Sequence, residues 1–237
     1  FEHRVAAYCG VEHGVAVSSG TAALHVALRA LEVKPGDRVW TSPNSFVATA
    51  NCALYCSATI DFVDIDPRTY NLSAGELERK IASARAAGSL PKVLIAVHFG
   101  GNPADLAEIQ ALCTANGIYV VEDASHALGA TYRGQRIGSC SFSDAAVFSF
   151  KATKNITTGE GGMVVTNRDD VARRAIVLRE GGVDRHQPVD EGEPWRRAQS
   201  ELGFNYRLTD FQAALGASQL KKLDSFLARR DALARRY

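Results

Sequence analysis

Apolar and polar positions follow two rhythms along this chain. Short apolar runs bounded by turn residues predict strands near residues 38–41, 59–63, 93–97, 118–121, 145–148 and 163–166. Between them, apolar residues at helical spacing predict helices near residues 21–31, 46–56, 74–86, 105–116, 171–179 and 210–234. In the last of these, Phe211, Leu215, Leu220, Leu223 and Leu227 recur at near-helical intervals, with Lys221, Lys222, Asp224, Arg229 and Arg230 between them. Pro35-Gly36-Asp37 and Gly88-Ser89-Leu90-Pro91 read as turns. Residues 181–197 are polar, carry Pro188 and Pro194, and read as a mobile loop. Strand and helix alternate throughout. The expected fold is therefore α/β, a mainly parallel sheet with helices on both faces in three α/β/α layers.

Three stretches carry candidate chemistry. Lys154 follows a short apolar strand and precedes the turn Asn155-Ile156-Thr157-Thr158-Gly159-Glu160-Gly161-Gly162. An amine held at the end of a rigid element and partly desolvated favours its neutral form and condenses with aldehydes, which is Schiff-base chemistry. Upstream, the apolar strand of Val120-Val121-Glu122-Asp123-Ala124-Ser125-His126 ends on a carboxylate suited to hold a protonated pyridine nitrogen. Lysine for the aldehyde and acid for the pyridinium are the pair that pyridoxal 5'-phosphate (PLP) requires. Finally, Ser18-Ser19-Gly20-Thr21-Ala22-Ala23-Leu24 opens an apolar-periodic helix. Helix N-termini offer free N–H groups to phosphate, although Ser-Gly-Thr also reads as an ordinary N-cap. Ligands of α/β sheets collect at the carboxyl ends of strands, where Asp123 and Ser149 are expected.

These stretches resemble the sugar aminotransferases of the DegT/DnrJ/EryC1/StrS family, and the likeness runs over nearly the whole chain. The resemblance implies the large domain of a fold type I PLP-dependent aminotransferase over residues 1–237. It also implies truncation at both ends, with the smaller C-terminal domain missing. The family's lysine stands before Ile-Thr-Thr-Gly-Glu-Gly-Gly, which selects Lys154 over Lys151. Its acid falls on Asp123 and its next polar cofactor contact on His126. Ser149, Gly20 and Thr21 match its phosphate contacts. Phe46 stands where an aromatic or similar residue covers the pyridine face. Asn205, in Gly203-Phe204-Asn205-Tyr206-Arg207, matches an asparagine that reaches the phosphate in the neighbouring subunit, which implies a homodimer. Residues 41–56 and 61–66 look closest to the pseudaminic-acid branch, whose members aminate C4 of a UDP-linked 4-keto-6-deoxy-N-acetyl sugar with glutamate as donor. A related dehydratase of the same sugars carries histidine at the lysine position, so Lys154 argues against it. A PLP-binding domain serving regulation or assembly without turnover is the alternative from another class.

Several residues keep two readings. Lys151 stands where the family usually has His or Tyr; it either depresses the Lys154 pKa by repulsion or points to solvent or an anionic sugar nucleotide. Phe46 reads equally as core packing or ring stacking. His126 reads also as a hydrogen-bonded structural histidine. His98 ends an apolar strand and could face substrate, whereas His25 reads as packing or surface.

Composition narrows the partners. Lysine and arginine number 27 against 26 acids, a net charge of +1, which gives no basic excess for nucleic acid. Arg229, Arg230, Arg235 and Arg236 read as the solvated face of a terminal helix. Five cysteines without CxxC spacing read as buried reduced thiols in a cytoplasmic protein, with no zinc site evident. No apolar run suits a membrane span or signal peptide. Gly159-Glu160-Gly161-Gly162 lacks the spacing of GxGxxG and of the P-loop, and both are rejected. The expected partners are a nucleotide sugar and an amino-acid donor.

Overall fold

Seven strands form the central sheet of the computed structural model, which describes residues 1–184 and 197–237. In chain order they are β1 (His13–Val17), β2 (Arg38–Thr41), β3 (Thr59–Phe62), β4 (Val93–Val97), β5 (Tyr119–Asp123), β8 (Ala145–Ser149) and β9 (Gly162–Thr166). Across the sheet the order is β1-β9-β8-β5-β4-β2-β3. β3, β2, β4, β5 and β8 run parallel, while β9 is antiparallel to both β8 and β1. A small hairpin of β6 (Thr131–Tyr132) and β7 (Gln135–Arg136) lies apart from the sheet.

Side chains alternate between faces, as a period of two requires. Val93 and Ile95 of β4, Val121 of β5 and Ala145 and Val147 of β8 join one apolar cluster. Leu94, Ala96, Val120, Ala146 and Phe148 join the other. The first cluster is completed by α2 (Gly20–Ala30), α3 (Val47–Tyr55) and α6 (Asp169–Arg179). The second takes residues from α1 (Glu2–Cys9), α4 (Ala74–Ala86) and α5 (Leu106–Thr114). The expected three-layer α/β/α fold is what forms. The alternation also fixes the site: Asp123 and Ser149, each two residues past an α2-side valine, lie on the α2/α3 face.

The chain departs from the sequence reading at α1, β1 and the β6–β7 hairpin, which that reading did not include, and at the last helix. β1 has only Val15-Ala16-Val17 as an apolar run after His13 and Gly14, too short a pattern to announce a strand. The helix expected over 210–234 breaks into α7 (Asp210–Leu220) and α8 (Leu223–Ala234). The step from Leu215 to Leu220 is out of helical phase, and the break lets Leu223 reach the core, fully buried, while Phe211 stays 91% exposed. α7 starts from a capping box in which Thr209 and Gln212 satisfy each other's amides. The loop expected over 181–197 lies mostly outside the described residues.

All five cysteines are free and buried. Cys52 and Cys56 belong to the α2/α3 side, and Cys9, Cys113 and Cys140 to the opposite side. Among the described residues no helix is long and apolar enough to cross a membrane.

Candidate active site

α2 begins at the carboxyl edge of the sheet, against the end of β8. Ser19 caps it by accepting the Ala22 amide at 3.0 Å, so the N-cap reading holds. The amides of Gly20 and Thr21 precede the helix's own hydrogen bonds and belong to its positive dipole end. Both residues line a cavity of about 470 Å³, as does Ser149 across from them. Gly20 has no room for a side chain: a Cβ there would lie 2.8 Å from Ser149 Cβ and 3.1 Å from Ser149 Oγ. Gly162 likewise lets β9 pass the Ser19 carbonyl, which any Cβ would strike. Small residues thus bring amide and hydroxyl donors into one cup.

Asp123 closes β5 and is 6% exposed. Its Oδ2 accepts from Thr49 Oγ1 at 2.7 Å, and its Oδ1 accepts from the Ser125 hydroxyl at 2.7 Å and the Ser125 amide at 3.2 Å. Ser45 donates in turn to Thr49 Oγ1 at 2.5 Å. A buried carboxylate with this many donors is fixed in orientation. Thr49 and Ser125 do not stand out in the sequence. Ser125 had a local signal, two residues beyond the acid, whereas Thr49 is 74 residues away and only the fold brings it there.

Lys154 sits on a tight turn, its amide donating to the Lys151 carbonyl at 3.0 Å. Its side chain lines the same cavity as Asp123. Burial holds its ammonium below the usual lysine range; the Asp123 carboxylate opposes this and the Lys151 ammonium adds to it. Lys151 is exposed on the cavity rim, so repulsion and access to the cavity belong to the same residue. His126 is also on the wall, and its pKa is lowered by burial and then by Lys154, against the pull of Asp123. Phe46 is 75% exposed on the wall, which removes core packing as its role.

Two histidines resolve differently. His98 lines the cavity but is 1% exposed, and both ring nitrogens are spent inside the protein. Nδ1 accepts from the Ala104 amide at 3.1 Å, which leaves Nε2 to donate to Glu122 Oε2 at 3.0 Å. It holds the 99–103 turn and has no free nitrogen for substrate, contrary to the expectation that it could face one. His25 is 5% exposed among Tyr55, Phe204 and Tyr206, a packing residue. Asn205 is exposed, pairs with Glu180 through a β-bridge, and is absent from the cavity wall. The structure therefore gathers Gly20, Thr21, Phe46, Asp123, His126, Ser149 and Lys154 around one cavity and leaves Asn205 outside it.

The donor set fits PLP. The α2 terminus and Ser149 suit a phosphate, Asp123 a protonated ring nitrogen and Lys154 an aldehyde. Among the described residues no group of three His, Cys, Asp or Glu side chains could hold a metal ion.

Comparison with known proteins adds an independent line. The model of the DegT/DnrJ/EryC1/StrS aminotransferase family matches residues 1–237. The chain is 44% identical to a GDP-perosamine synthase of Caulobacter vibrioides over 98% of its own length and 58% of the relative's. It is 38% identical to a UDP-4-amino-4,6-dideoxy-N-acetyl-beta-L-altrosamine transaminase of Campylobacter jejuni, over 100% of this chain and 60% of that one. Its fold overlays on Helicobacter pylori PseC, an aminotransferase involved in the biosynthesis of pseudoaminic acid, with a TM-score of 0.84 and 33% identity. That match covers 94% of this chain and 57% of PseC. The chain thus spans about three-fifths of the length of the relatives it matches.

Proposed function

The chain belongs to the DegT/DnrJ/EryC1/StrS aminotransferase family, and on that premise we propose that it is the cofactor-binding large domain of a PLP-dependent sugar aminotransferase. The observation that carries this reading is the convergence of Lys154, Asp123 and the α2–Ser149 cup on one cavity. The acceptor is a nucleotide-linked keto sugar and the donor an amino acid, with glutamate the first to test. A UDP-linked 4-keto-6-deoxy-N-acetyl-hexose, aminated at C4, is the acceptor supported by the similarity to the Campylobacter and Helicobacter enzymes. The stronger identity to a GDP-perosamine synthase supports a GDP-linked sugar as the second candidate.

When bound, PLP supplies an aldehyde for covalent attachment and a ring that takes up electrons from a substrate carbon. The Lys154 amine, neutral more readily because it is partly buried, would serve as the nucleophile for that aldehyde and as the group that moves a proton at the reacting carbon. Asp123, its orientation set by Thr49 and Ser125, would accept a hydrogen bond from the ring N–H. The Gly20 and Thr21 amides and Ser149 Oγ would hold the phosphate, and Phe46 and His126 would flank the ring. Asn205 serves the site of a second copy in a homodimer, consistent with its exposure outside its own cavity.

Borohydride reduction after addition of PLP, followed by peptide mass spectrometry, tests the assignment. Stoichiometric label on Lys154, lost in Lys154→Ala, is expected; label on Lys151 would overturn the choice of lysine. Assays of the whole protein with glutamate and UDP- or GDP-linked 4-keto sugars then decide the acceptor.

A further inference from the structure

Arg230 is exposed on α8, as the sequence reading expected, yet its guanidinium is engaged by backbone. Leu223, Leu227 and Arg230 recur at helical spacing along one side of α8. Leu223 is buried, Leu227 packs against the core, and Asp224 accepts the Tyr8 hydroxyl at 2.7 Å. Gly129, with φ of +92°, passes so close to Leu227 that a Cβ there would collide with it. Docked this way, α8 delivers the Arg230 guanidinium to the turn that bears Lys154. Nη1 donates to the Asn155 carbonyl at 3.1 Å, and Nη2 reaches the Lys154 carbonyl at 3.5 Å. The same turn is held by Asn155 Nδ2, which donates to the Leu128 carbonyl at 2.8 Å. Residues 154 and 155 belong to no helix or strand, so their carbonyls have no regular ladder to satisfy them.

We propose that Arg230 is a positioning residue: it clamps the carbonyls of Lys154 and Asn155 to α8 and so fixes where the Lys154 amine enters the cavity. A planar guanidinium spans two successive carbonyls, whereas an ammonium reaches one. A reacting group misplaced by about 1 Å loses much of its rate advantage, so a residue that fixes this backbone bears on chemistry without touching substrate. The catalytic meaning rests on the lysine assignment above; the clamp itself does not.

The test is amide hydrogen exchange at Lys154 in the PLP-free protein, paired with the rate of borohydride-trapped PLP attachment. In Arg230→Ala the Lys154 amide should exchange roughly fivefold faster, the effect of about one net hydrogen bond. Arg230→Lys should fall between, and Arg229→Ala, on the same helix, should match the parent. Attachment of PLP to Lys154 should slow in the same order. Unchanged exchange in Arg230→Ala overturns the clamp, and so does an equal change in Arg229→Ala, which would assign the effect to α8 as a whole. Faster exchange with unaltered attachment overturns the positioning role. Faster exchange in Arg230→Ala when even the parent takes no label at Lys154 supports the clamp and removes the cofactor assignment instead.

Discussion

Replacing Gly20 with alanine places a carbon 2.8 Å from Ser149 Cβ. Carbon atoms pack best at about 3.5–4.0 Å, so the new methyl is short by about 0.7–1.2 Å. Neither partner yields easily, because one opens α2 and the other closes a central strand. Overpacking of this kind costs about 1–3 kcal/mol, offset by up to about 1 kcal/mol from alanine's better helix propensity. The expected net loss therefore lies between about 0 and 3 kcal/mol, centred on about 1.5 kcal/mol. Urea denaturation of Gly20→Ala, Ser149→Gly and the double variant separates the contact from the rest. Ser149→Gly removes the struck carbon, so the double variant should recover about 1 kcal/mol or more relative to the sum of the single changes. Simple additivity would refute the close approach and, with it, the account of why glycine stands against Ser149.

Thr49→Val keeps the shape of a fully buried side chain but removes the hydroxyl between Ser45 and Asp123. A loss of about 1–3 kcal/mol in urea titration is expected, with Thr49→Ser recovering most of it; no loss would mean the bond to Asp123 contributes nothing. His25 is buried beside Arg29, and burial first and that charge second push its pKa down to about 4. Its unfolded value is about 6.5, so the unfolded chain binds the extra proton between the two. Stability from this group is complete above about pH 6.5 and is lost as pH falls toward 4, by up to about 3 kcal/mol. Denaturation at pH 7 and pH 4 should show a smaller acid loss in His25→Leu than in the parent; equal losses would place the titration elsewhere.

The sequence made the chemistry of single landmarks legible and left their coupling hidden. Asp123 could be found because it ends an apolar run, and Lys154 because it follows one just before a Gly/Thr-rich turn that the family resemblance singles out; the cavity brings both together. Thr49 could not, since nothing within its own helix marks it as a partner for an acid 74 residues on. Arg230 is exposed, as a charge near the end of a helix usually is; what the sequence did not show is that docking of Leu223 and Leu227 carries its guanidinium to the Lys154–Asn155 carbonyls. His98 failed in the opposite direction, its position at a strand end suggesting access that the Glu122 and Ala104 bonds remove. β1 was missed for want of length, while the parallel strands β4, β5 and β8 were plain because burial on both faces writes an unbroken apolar run.

The buried thiols divide the molecule into two halves that chemistry can address separately. Burial pushes Cys56 up to about 11 and Cys9 and Cys113 up to about 12, and it raises Cys52 and Cys140 as well. Thiolate is therefore scarce near neutral pH, and a thiol reagent must wait for an opening of the fold. Cys52 and Cys56 time the loosening of the layer that holds α2 and α3. Cys9, Cys113 and Cys140 time the layer beneath α8, so alkylation rates at the two sets give each side of the sheet its own clock.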